Sequence, residues 1–185
     1  TNKVGSIGQP IPGTQVRLAD KEDPSKPAPV GEPGELLAKG PQIMAGYWNK
    51  PVATAAVFVD GWLRTGDVAT IDEDGFIFIV DRLKDMIAVG GVKVFPSQVE
   101  DILYKHPAVK EALVIGVPDS YLGVRPKAYV TLNDGAVASG EELADWLNPQ
   151  LGKHERVLAV VVRDALPKTM IGKLDRKALR AEEGV

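Results

Sequence analysis

Along the first third of the chain, apolar residues come in short runs broken by glycine, proline and charge. Residues 14–19 and 34–38 read as short strands between Gly/Pro clusters. Between them, residues 20–33 hold four prolines and six charged side chains, the composition of a surface loop. Residues 51–58 predict a short helix with Pro51 near its start. Residues 68–71 and 76–80 predict two strands joined by Asp72-Glu73-Asp74-Gly75, since Asp-Gly before an apolar run is a strong hairpin signal. Past residue 82 the periodicity becomes mixed. Residues 86–89 and 92–95 flank Gly90 and Gly91 as a second hairpin. Pro96 opens a helix with Val99, Ile102 and Leu103 on one face, and His106-Pro107 closes it. Residues 112–117 and 127–132 predict strands, the first apolar on both faces and therefore expected at the centre of its sheet. Ser139 and Glu142 have capping-box spacing ahead of Leu143, Trp146 and Leu147. Residues 157–162 predict a further strand, and Asp175 caps a last helix reaching about residue 182.

These elements describe an α+β protein. A small β-rich subdomain, a distorted barrel, occupies residues 1–81. A charged link at 82–85 follows, then a compact α+β domain over 86–185 with a short mixed sheet and flanking helices. The 185 residues leave room for one domain or two small ones. Charge sharpens the division: the net formal charge is −3, made up of −4 over residues 1–81, −2 over 82–151 and +3 over 152–185. A small basic tail on an acidic body suits an anion such as a phosphate. It is too weak a bias for nucleic acid, which is not expected as a partner. The chain has no cysteine, which excludes disulfides, zinc–thiolate sites and thiol nucleophiles. With only two histidines, His106 and His154, both read as surface residues, no metal site is expected. No apolar run is long enough for a membrane-spanning helix. The composition fits a reducing compartment, and the chain opens on Thr1 as a processed or excised piece would.

Several motifs are absent. The nineteen glycines never fall two apart, so no G-x-G-x-x-G occurs, and neither a P-loop nor a G-x-S-x-G elbow is present. Three segments carry chemistry instead: Gly61-Trp62-Leu63-Arg64-Thr65-Gly66-Asp67, Asp81-Arg82-Leu83-Lys84-Asp85-Met86-Ile87 with Gly90 and Gly91, and Leu166-Pro167-Lys168-Thr169-Met170-Ile171-Gly172-Lys173. A carboxylate such as Asp67 can accept from two vicinal hydroxyls. The guanidinium of Arg82 is a planar fork of five donors, and the ammonium of Lys173 is a positive charge on a long stem.

In this order and spacing the segments resemble the adenylate-forming superfamily of acyl-CoA synthetases, luciferases and peptide-synthetase adenylation domains. The resemblance spans nearly the whole chain and includes Gly5-Ser6-Ile7-Gly8-Gln9-Pro10 and Gly46-Tyr47-Trp48. It implies an AMP-forming acid–thiol ligase that uses ATP, Mg2+ and coenzyme A. Lys84-Asp85-Met86-Ile87 and Val92-Lys93-Val94-Phe95-Pro96 look most like the fatty-acyl-CoA synthetases. Aryl- or short-chain acid ligases, or a non-catalytic module docking on an adenylating partner, are the alternatives. By this resemblance Lys173 is catalytic, Asp67 and Arg82 bind nucleotide, Lys84 is the hinge, and Gly90 and Gly91 line the pantetheine tunnel. Missing are the family's phosphate loop and acyl pocket. The resemblance therefore implies the C-terminal third of a longer cytoplasmic enzyme, with its N-terminal domain as partner, inactive alone, and with peripheral membrane contact of the parent allowed by its fatty acid substrate.

Overall fold

The long strand β4 organises the first part of the chain. The computed structural model describes residues 3–185. They form two compact units, residues 3–84 and Asp85–Val185. In the first unit, β1 (Gln15–Ala19) pairs antiparallel with β2 (Gly34–Lys39), and β2 pairs with β4 (Trp62–Ile71). The other edge of β4 takes β3 (Phe58–Val59) at one end and β5 (Ile77–Arg82) at the other. The helix α1 (Pro51–Ala56) stops short of the expected end at residue 58, because the chain there is drawn into β3. Likewise β4 begins six residues before the strand expected at 68–71. That stretch contains Gly66, and its strand character comes from its neighbours β2 and β3 rather than from its own pattern. The expected Asp72-Glu73-Asp74-Gly75 turn is present: Asp72 Oδ1 accepts from the backbone of Asp74 and Phe76. The sheet's apolar face is a small core of Leu36, Ala69 and Ile77 with Val16, Leu18 and Ile71 around them.

In the second unit, β6 (Ile87–Val89) and β7 (Val92–Val94) form the predicted Gly-Gly hairpin. A mixed three-stranded sheet has the order β10 (Val160–Val162), β9 (Gly123–Leu132), β8 (Val109–Asp119), with β10 parallel and β8 antiparallel to β9. Thus β8 is an edge strand and β9 the central one. The apolar pattern of β8 has another cause: both of its faces are covered. Ala112 and Val114 face a core with Val99 and Leu103 of α2 (Pro96–Leu103) and Leu143 and Leu147 of α3 (Gly140–Leu147). Leu113 and Ile115 face Leu166 and Leu179, the latter from α4 (Arg176–Glu183). The capping box of α3 is complete, with Ser139 Oγ accepting from Glu142 N and Glu142 Oε2 from Ser139 N. Asp175 caps α4 through Ala178 N. The last strand is three residues long, half of the expected 157–162, although its backbone already meets β9 at Leu158, whose N–H donates to Pro126 O. His106 is half-buried rather than a plain surface residue: it meets the Trp146 ring edge-on at 4.8 Å, and its Nδ1 accepts from Ala108 N.

Candidate functional site

Asp67 and Arg82 are fifteen residues apart in sequence but direct cross-strand partners on β4 and β5. Arg82 Nε lies 2.9 Å from Asp67 Oδ1. The pair engages one oxygen and one nitrogen. Among the described residues, the second carboxylate oxygen and the terminal guanidinium nitrogens make no side-chain hydrogen bond. Local turns set the aspartate: Gly66 has a φ of 74°, Thr65 Oγ1 donates to Leu36 O, and Asp67 N donates to Thr65 Oγ1. Next to it, Asp81 Oδ1 accepts from the Arg82 backbone N–H.

Beside this pair the first unit has a cavity of about 440 Å³. Its polar wall includes Glu35, Arg64, Arg82 and Lys84, and Tyr47, Val57 and Leu83 supply apolar surface. Glu35 is 1% exposed and is held by Arg64, whose Nη2 and Nε reach Oε2 at 2.9 and 3.1 Å. That pair neutralises itself, as Arg82 does with Asp67, which leaves Lys84 as net positive charge on the wall. An anionic group seated against a modest apolar surface fits this arrangement. Lys84 is exposed within a single 3-10 turn, Leu83–Asp85.

The remaining predicted residues sit on two separate loops of the second unit. Gly90 and Gly91 make the β6–β7 turn, with φ of 55° and 84°, a backbone that residues with a Cβ rarely adopt. Gly90 N donates to Leu122 O, and a Cβ on Gly90 would lie 3.3 Å from Leu122 Cδ2. Lys173 lies on a tight hairpin. Thr169 N donates to Lys173 O at 2.7 Å, Gly172 N to Thr169 O, and Lys173 N to Thr169 Oγ1. Below the hairpin, Asp175 N donates to Pro167 O, and Lys168 pairs with Glu111 at 2.6 Å. The backbone is thus held while the Lys173 side chain, and Met170 and Ile171 at the tip, stand in solvent.

Sequence reasoning missed Glu35 and Arg64, and with them a second ionic cluster of Asp85, Glu100, Arg176 and Arg180. The available signal was a charge inside an otherwise apolar window, as in Gly34-Glu35-Leu36-Leu37. Only the fold supplies the partners.

Two family models match the chain: the AMP-binding enzyme C-terminal domain over residues 98–173 and the AMP-binding enzyme over residues 1–48. A long-chain-fatty-acid–CoA ligase of Bacillus subtilis is 48% identical over 98% of this chain and 32% of its own length. A feruloyl-CoA synthase of an Amycolatopsis species is 45% identical over 98% of this chain and 37% of its own. Among solved structures, ATP-bound MatB from Rhodopseudomonas palustris superposes with a TM-score of 0.89 at 35% identity, covering 96% of this chain and 35% of that one. The chain therefore spans about a third of the length of these relatives.

Proposed function

Because the chain belongs to the AMP-binding enzyme family, as the C-terminal portion of an acyl-CoA ligase, we propose that its parent activates a long- or medium-chain fatty acid with ATP and passes the acyl group to coenzyme A. The Asp67–Arg82 pair beside a cationic cavity is the observation that carries this reading. In the first half-reaction a carboxylate oxygen attacks the α-phosphorus of ATP and pyrophosphate leaves. In the second the thiol of coenzyme A attacks the acyl carbon and AMP leaves. The free oxygen of Asp67 accepts from the ribose hydroxyls, and the terminal nitrogens of Arg82 donate to the same nucleotide. The ammonium of Lys173, presented on a held hairpin, bridges the acid carboxylate and the α-phosphate as charge builds there. ATP brings Mg2+, which neutralises phosphate charge. Among the described residues no group of three or more His, Asp or Glu stands together to hold a metal, so none is assigned to it.

In this reading residues 1–81 close the large AMP-binding domain, 82–85 are the hinge centred on Lys84, and 86–185 are the mobile lid. Rotation about Lys84 exchanges the Lys173 hairpin for the Gly90 and Gly91 turn, whose bare backbone lines the pantetheine tunnel. The missing N-terminal domain supplies the phosphate loop and acyl pocket, and the chain alone is inactive. The parent works in the cytoplasm, with peripheral membrane contact for an amphiphilic acid. Among the described residues no helix is long and apolar enough to cross a membrane.

A second reading, an aryl acid as substrate, is favoured by the nearly equal likeness to the feruloyl-CoA synthase. ATP–pyrophosphate exchange by the parent with a panel of fatty and aryl acids separates the two. Lys173→Ala should lower exchange by about 10²–10³-fold and leave thioester formation from preformed acyl-adenylate intact. Exchange untouched by the substitution would remove Lys173 from the mechanism.

A further inference from the structure

Resting on the reading of Lys84 as hinge, we propose that Asp85, Arg176 and Arg180 form a positioning clamp. It locks the first residue of the second unit to the base of the Lys173 hairpin, so that a turn at the hinge is delivered whole to the lysine. Asp85 opens the second unit, and its side chain is only 11% exposed. Two arginines of α4 hold it from both oxygens: Arg176 Nη1 is 3.2 Å from Oδ2, and Arg180 Nη1 is 3.3 Å from Oδ1. Arg176 is held in turn. Its Nη2 meets both oxygens of Glu100 at 2.7 and 2.9 Å, and its Nε donates to Val114 O at 3.1 Å. Glu100 Oε1 also accepts from Val114 N at 2.7 Å. The open edge of β8 is thereby capped at Val114 by the same groups, which blunts it there against pairing with another strand.

Two carboxylates and two guanidiniums balance in charge. Desolvating such groups is costly unless the geometry is met in full, so they hold one arrangement well and tolerate others badly. Arg176 is also the first residue of α4, one residue past Asp175, whose N–H closes the base of the Lys173 hairpin on Pro167 O. The path from Asp85 to Lys173 is one ion pair and three residues of backbone. A torsional change at Asp85 would break both of its arginine contacts, whereas Lys84, among the described residues, makes no ion pair to break. The clamp therefore puts the pivot on the N-terminal side of Asp85.

Hydrogen exchange on the 185-residue chain tests the clamp directly, with Arg180→Gln as the perturbation because it leaves the Arg176–Glu100 contact in place. Amides of residues 85–87 and 168–175 should speed up together, by about fivefold to tenfold for loss of a partly buried charged contact, and Arg180→Lys should restore most of the protection. Faster exchange at 85–87 alone, or at neither segment, overturns the proposal. In the parent, Arg180→Gln should lower the maximal rate of pyrophosphate exchange with KM for ATP unchanged, and Arg180→Lys should recover it. A uniform loss in both half-reactions with no rescue marks a merely structural residue and also overturns it. If the wild-type parent shows no exchange with any acid, the ligase reading falls, and the amide result still decides whether the clamp exists.

Discussion

Replacing Arg64 by methionine would strand the carboxylate of Glu35, and the structure sets the size of the loss. Glu35 is 1% exposed, and it receives Arg64 Nη2 at 2.9 Å and Arg64 Nε at 3.1 and 3.3 Å. Removing one partner of a buried pair costs about 3–5 kcal/mol, because the other charge stays without compensation. The Arg64 side chain is 31% exposed, so water from the cavity relieves part of this. The expected loss is about 2–3 kcal/mol in the first unit. Glu35→Leu in the same chain removes the stranded charge and should bring the loss back to about 1 kcal/mol or less. Urea unfolding followed by tryptophan fluorescence reads this out. Trp146, in the second unit, is first replaced by phenylalanine, and Trp48 is 94% exposed and changes little. Trp62 then reports, since it lies on β4 with the Arg17 guanidinium 4.9 Å from its ring. A loss below about 0.5 kcal/mol, the range of ordinary surface substitutions, would mean that the Glu35 carboxylate is already solvated. A double variant no better than the single one would mean that packing, not charge, was lost. Either result would refute the reasoning.

The second unit offers further tests. A Cβ on Gly140, at the first turn of α3, would fall 2.0 Å from Val160 O on β10. Gly140→Ala should therefore cost about 2–3 kcal/mol as helix and strand are forced apart, measurable by thermal unfolding, whereas Gly91→Ala meets no atom within 4 Å and acts only through its positive φ. Ser139→Ala should cost about 1 kcal/mol by removing the cap. Hydrogen bonding by the Ser139 backbone N–H and side chain holds the Glu142 carboxyl below its ordinary value of 4.5. A carboxyl depressed in the folded state contributes stability above its unfolded pKa and loses it as pH falls through the folded one. Acid unfolding followed by circular dichroism should show this component below about pH 4.5 in the wild type, and Glu142→Gln should remove it while keeping the hydrogen bond.

Short-range chemistry was legible without coordinates. The Asp72-Glu73-Asp74-Gly75 turn, the Gly90 and Gly91 hairpin, the Ser139–Glu142 box and the Asp175 cap are each decided within a few residues, by backbone conformations and hydrogen bonds that depend on side-chain type alone. The ordered motifs carried the family in the same way, because they are read residue by residue. Pairing across the chain could not be read so. An apolar run on both faces placed β8 at the centre of its sheet, but hydrophobicity records burial and not hydrogen-bonded neighbours. Helices cover both faces of β8 while Glu100 and Arg176 cap its edge at Val114. The early start of β4 and the short β10 depend on which backbones lie alongside them. Glu35 with Arg64, Asp67 with Arg82, and Asp85 with Arg176 are 29, 15 and 91 residues apart. Each charge alone reads as a solvated residue. Only the register of the strands and the docking of α4 bring opposite charges together, and where the carboxylate is buried, as at Glu35 and Asp85, the attraction is strong enough to fix a geometry.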